Sequence, residues 1–120
     1  MEWGTFAAGE WSSPPVLIAR TFRQRTKGLT PATAGYGMLI RGRSVHGLGM
    51  REPLLAIGLD RERRVVGVRT LRPRHVVFIR TARHIMELPI GTLPPPRGVA
   101  LTWEGGGSVG HLCNTHRKPE

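Results

Sequence analysis

Apolar and polar positions along this 120-residue chain alternate in short runs broken by turn residues, and no run holds a helical period for long. The clearest pair spans Leu54–Leu71. In Leu54-Leu55-Ala56-Ile57-Gly58-Leu59, strand geometry puts Leu55, Ile57 and Leu59 on one face and the small Ala56 and Gly58 on the other. Asp60-Arg61-Glu62-Arg63 is entirely charged, and Arg64–Leu71 is apolar again through Val65, Val66 and Val68. Two apolar runs joined by a short polar segment predict a β-hairpin.

The rest of the chain reads in the same way. Val16–Phe22 predicts a first strand, and Arg23–Leu29, which lacks a strand pattern, predicts a short helical turn. Thr30–Gly37 is a loop punctuated by Pro31, Gly35 and Gly37. Met38–Ile40 and Ser44–Met50 are expected strands, the second carrying Gly47 and Gly49 where a bulge or a close backbone approach is expected. Val76–Ile79 reads as a buried strand or an apolar loop, Arg83–Leu88 as a strand, and Val99–Trp103 as a closing strand. Residues 1–15 read as an N-terminal lead-in from which Trp3, Phe6 and Trp11 can pack onto the domain. Residues 16–103 form a single β domain, and 104–120, opened by three glycines, a flexible tail.

Composition narrows this reading. The length suits one core, and 16 glycines with 10 prolines favour short strands and turns over long helices. Cys113 is the only cysteine, so no internal disulfide can form. No apolar run approaches the ~18 residues of a membrane span, and the N-terminus lacks the pattern of a signal peptide. The expectation is a cytoplasmic protein without a transmembrane segment, or an envelope protein if a leader has been removed.

Charge changes the picture more. Eighteen Lys+Arg against eight Asp+Glu give +10, and residues 60–83 alone hold eight arginines and two acids. Such an excess attracts polyanions without special geometry, although the same arginines also suit a solvated surface. Arg72-Pro73-Arg74-His75 gathers basic groups at a strand end, and arginine forks bind phosphate bidentately. Arg64, Arg69, Arg72 and Arg74 are the candidate anion contacts. No interleaved aromatic stands beside them in sequence, which argues against base stacking.

Enzyme motifs are missing. The chain has no phosphate-binding glycine loop, no nucleophile elbow and no pair of acids placed for general acid–base work. His111, Cys113 and His116 could hold zinc if a fourth ligand came from elsewhere, but their spacing matches no familiar finger, and no cofactor is expected. His84 shares a strand face with Met86 and Leu88 and reads as a packed histidine, whereas His46, beside Gly47, has better access to a ligand.

Taken in order, Ala19-x-Thr21, Arg25-x-x-Gly28-Leu29, Gly37-Met38-Leu39, Val45 to Arg51, Pro53-Leu54, Val65-Val66, Leu71-x-Pro73 and Met86-Glu87-Leu88-Pro89-x-Gly91 form a succession. It resembles the domain-of-unknown-function family numbered one hundred and ninety-two, small prokaryotic proteins. The resemblance implies a mainly-β, jelly-roll-like sandwich and no particular activity; members often sit at the cell envelope behind a leader. The chain departs from the family pattern at Leu55, where an aspartate is usual, and at Thr30, where a methionine is usual. It departs again at Glu62-Arg63, where the hairpin turn usually carries a glycine, and at Pro94-Pro95-Pro96. It reads as a divergent member.

The resemblance points to His46, Arg51 and Glu87 as matching polar residues in a non-enzymatic binding or accessory domain for a small ligand or protein partner. Glu87 paired with Arg25 or Arg51 would equally hold the fold together. Nonspecific polyanion binding through the arginine-rich face is the second expectation. A divergent enzyme is the third, weakened by Leu55.

Overall fold

The computed structural model describes residues 2–19, 35–48 and 50–108. The described chain is mainly β and contains no helix; the helical turn expected at 23–29 lies outside it. Ten strands are formed among the described residues: β1 (Glu2–Ala8), β2 (Trp11–Ser12), β3 (Val16–Ala19), β4 (Gly37–Arg41), β5 (Ser44–His46), β6 (Leu54–Leu59), β7 (Val65–Leu71), β8 (Val76–Phe78), β9 (His84–Pro89) and β10 (Thr102–Ser108). One curled, half-barrel sheet runs β10-β1-β3-β4-β9-β6-β7, with β2 paired to β1, and β5 and β8 form a separate two-stranded ribbon.

The predicted hairpin is β6–β7, antiparallel from Leu54 opposite Leu71 to Leu59 opposite Val65, with a bulge between Gly58 and Leu59. Its turn is built by Asp60, whose Oδ1 accepts hydrogen bonds from the N–H groups of Glu62 (2.9 Å) and Arg64 (2.8 Å). Arg63 takes φ 64° there, the left-handed conformation that a glycine would adopt without strain.

Strand alternation divides the core between the two faces of the sheet. Leu55, Ile57 and Leu59 join Phe6, Val16, Met86 and Leu88 on one face. Leu54 and Ala56 join Met38, Ile40, Leu71 and Ile85 on the other, where Val45, Val77 and Ile79 bring in the ribbon. The two small strand residues explain how the ribbon seats. A Cβ at Gly58 would stand 2.9 Å from the Ile79 side chain, and one at Gly67 would stand 3.1 Å from it. The paired glycines leave the hollow that Ile79 fills.

Two sequence expectations are corrected. Residues 2–12 are not a lead-in: β1 pairs with β10, β2 and β3 inside the main sheet, and Trp3, Phe6 and Trp11 are buried. Trp11 Nε1 donates to Leu93 O at 2.7 Å, tying this hairpin to a distant loop. Pro14 and Pro15 separate β2 from β3, because proline cannot donate to a ladder. Residues 104–108 are likewise not a tail. The close approach of β1 to β10 is made at Gly4, where a Cβ would collide with Glu104 O and the Trp103 ring.

Candidate nucleic-acid interface

Each strand of the ribbon is three residues long and alternates cleanly. Val45 and Val77 face the core, while Ser44, His46, Val76 and Phe78 face outward. Ser44 opposes Phe78 and His46 opposes Val76, so these four side chains form one contiguous outer patch. Phe78 is 59% and Val76 67% exposed. The run 76–79 is therefore half surface and not wholly buried: with apolar residues at every position, the sequence carries no polar contrast to show which ones point out.

Both ends of the patch are basic. At one end the Ile79 N–H donates to Arg43 O (2.8 Å), setting the exposed Arg43 beside the exposed Arg80. At the other, Gly47 N–H donates to His75 O (2.8 Å) and Arg74 N–H donates to Gly47 O (3.0 Å). A further bond from His75 N–H to Arg72 O (3.0 Å) closes the turn, in which Arg74 takes φ 69°. This clamp brings His46 together with Arg72, Arg74 and His75, although more than twenty residues separate them in sequence. Leu48 N–H lies 3.4 Å from His46 Nδ1. Residues 43–51 and 72–80 contain five arginines, two histidines and no acid. The patch spans roughly 14 Å from Arg43 to Gly47.

The structure regroups the residues singled out from sequence. Arg72 and Arg74 belong to the ribbon, and Arg69 lies on edge strand β7 opposite Ala56. Arg64 sits at the opposite end of β7, roughly 26 Å of strand from Arg72, where its Nη1 donates to Gly98 O at 3.2 Å. The four arginines do not form one cluster.

His46, Arg51 and Glu87 do not meet on one surface either. Glu87 is buried between Met38 and Ala56 on the face that the ribbon covers. His46 points to the far side of the ribbon from it, because its neighbour Val45 points in. Arg51 is exposed beyond the ribbon. No three His, Cys, Asp or Glu side chains gather around a metal-sized space among the described residues, and His111, Cys113 and His116 lie outside them. No helix of the described residues is long and apolar enough to cross a membrane.

A cavity of about 190 Å³ lies on the opposite face of the sheet, between Phe6, Ile18, Leu39, Leu59 and Trp103, with Arg61, Arg63 and His84 among its lining. Strand β9 does put His84 on the face of Met86 and Leu88. Burial lowers the His84 pKa below its ordinary 6.5, and the positive charges of Arg41, Arg83 and Arg63 lower it further. Comparison with protein-family models, curated proteins and solved structures finds no match for the chain.

Proposed function

We propose that this protein binds single-stranded nucleic acid along the outer face of the β5–β8 ribbon. One observation carries the reading: an exposed phenylalanine lies on an acid-free ribbon flanked at both ends by arginines. Phosphates need cations that no neighbouring carboxylate neutralises, and unpaired bases need a π-face on which to stack. Arg43, Arg80, Arg72 and Arg74 supply the first, and Phe78 supplies the second. Val76 extends the apolar platform, and His46 adds a hydrogen-bonding ring beside it.

This reading takes up the second expectation from sequence, polyanion binding, in place of the first, an accessory domain for a small ligand or protein partner. It departs from the polyanion expectation in relying on Phe78 for stacking. The order of motifs from Ala19 to Gly91 supports a divergent member of the family it resembles, and the curled sheet with its covering ribbon is compatible with a sandwich of the jelly-roll kind.

The test is fluorescence anisotropy with a labelled oligothymidylate over a range of salt. Four phosphate contacts predict a slope of log K against log salt of about −3, from ~0.7 per contact on single strands. Phe78→Ala lowers oligonucleotide affinity by about fivefold to 150-fold, since stacking contributes ~1–3 kcal/mol per base. It leaves heparin affinity unchanged. A salt-independent affinity, or a Phe78→Ala variant that binds as the parent does, refutes the reading.

A further inference from the structure

The cavity on the other face of the sheet is separate from the ribbon, and its make-up differs. Its floor is aromatic and aliphatic: Phe6 and Trp103 meet at 4.9 Å between ring centroids, tilted by 54°, with Leu59 beside them. Its polar lining comes from two elements. The β6–β7 turn contributes Arg61 and Arg63, and β9 contributes His84, which pairs with Leu59 across the ladder. The turn that carries both arginines is held from within by Asp60, whose Oδ1 is engaged by two backbone N–H groups. Neither Arg61 nor Arg63 forms an ion pair among the described residues, and both are exposed. Among the described residues, no carboxylate lines the cavity.

An apolar floor beside unpaired guanidinium groups selects a ligand with two ends. The apolar end excludes a bare phosphate or sulfate, which would gain nothing from Phe6, Leu59 and Trp103. The charged end excludes a neutral hydrocarbon as the best ligand, because guanidinium forks hold a carboxylate bidentately. A volume of 190 Å³ falls below the ~300–1,000 Å³ of pockets for drug-sized ligands, so the ligand is small. We propose that this cavity binds a small carboxylate with an apolar body, its hydrocarbon against Phe6, Leu59 and Trp103 and its carboxylate against Arg61 and Arg63.

Octanoate, octanol and octylammonium share a chain and differ only in the head, so calorimetric titration of the three tests the assignment. Octanoate is expected to bind, octanol to bind at least about fivefold more weakly, and octylammonium not to bind. An Arg61→Gln/Arg63→Gln double variant should lose that fivefold advantage while keeping its octanol affinity; both positions are exposed, so the fold is retained. Equal affinity for octanoate and octanol, binding of neither, or octanoate binding that survives the double variant each overturns the proposal. Saturating oligothymidylate is expected to leave octanoate affinity unchanged, and Phe78→Ala likewise. Displacement of octanoate by the oligonucleotide would place the carboxylate on the ribbon and refute a separate site, whatever the fate of the nucleic-acid reading.

Discussion

Gly47 lies so close to Arg72 that a Cβ at position 47 would collide with the Arg72 carbonyl oxygen. The contact is backbone against backbone, so neither side can yield by turning a rotamer. Gly47→Ala must therefore push the Arg72–His75 turn away from β5 and strain the clamp bonds at 2.8 and 3.0 Å. The expected cost is about 1–3 kcal/mol in chemical denaturation, the range for overpacking. Oligonucleotide affinity should fall with it, because Arg72 and Arg74 move. Unchanged stability would mean that the clamp is not needed.

Neighbouring residues on β8 and just beyond it should behave oppositely. Ile79 is 4% exposed and fills the hollow over Gly58 and Gly67, whereas Phe78 is 59% exposed. Ile79→Ala should cost ~2–4 kcal/mol by leaving a cavity. Phe78→Ala should cost under ~1 kcal/mol and act on binding instead. Urea midpoints for the two variants decide the matter, and equal losses would contradict the alternation of the ribbon.

Arg63→Gly is expected to stabilise the protein by about 0.5–1 kcal/mol. A non-glycine residue at φ 64° carries strain that glycine does not, and the gain outweighs the added freedom of the unfolded chain. A lower thermal midpoint in the glycine variant would show that the Arg63 side chain stabilises the turn by more than its backbone strains it.

His84 makes stability depend on pH in a fixed direction. Its folded pKa lies below 6.5, through burial first and then through Arg41, Arg83 and Arg63. Unfolded His84 takes up its proton near pH 6.5 and folded His84 only at lower pH, so the unfolded state binds more protons in between. Stability is fully present above pH 6.5 and falls as the pH drops from there toward the folded pKa. His84→Gln should flatten that part of the stability profile measured by urea unfolding. A slope that the variant leaves unchanged would assign it to another group.

Removal of residues 1–12 should abolish cooperative unfolding. Strand β1 is what joins β10 to the rest of the sheet, and it buries Trp3 and Phe6. A truncated chain that still melts sharply would restore these residues to the role of a lead-in.

The sequence revealed what local periodicity can carry. The β6–β7 hairpin, its two faces and its charged turn all follow from alternation between Leu54 and Leu71, and β4 and β9 follow from short apolar runs. Strand β1 escapes, and β10 is legible only at its start, in the closing strand expected at Val99–Trp103, because their pairing depends on close approach. Glycine, which weakens a strand on propensity, is required where Gly4 meets Glu104. The ribbon is legible in part: its strands follow from short apolar runs, but the side of Val76 and Phe78 that faces water does not. The meeting of His46 with Arg72 and Arg74 is a tertiary fact that no window of sequence contains. The cavity is less legible still, since β1, β6, β9 and β10 each contribute to it.

The ladder between β1 and β10 pairs Glu2 with Ser108, so it closes across almost the whole described chain, whereas β6 and β7 close across a five-residue turn. Loop closure must precede the contacts that reward it, which makes the hairpin an early event and the β1–β10 seam a late one. Until that seam forms, one edge of β1 stands open as a template for any passing strand. The order of assembly thus makes the stretch from Glu2 to Ala8 the point at which a folding chain is most exposed to its neighbours.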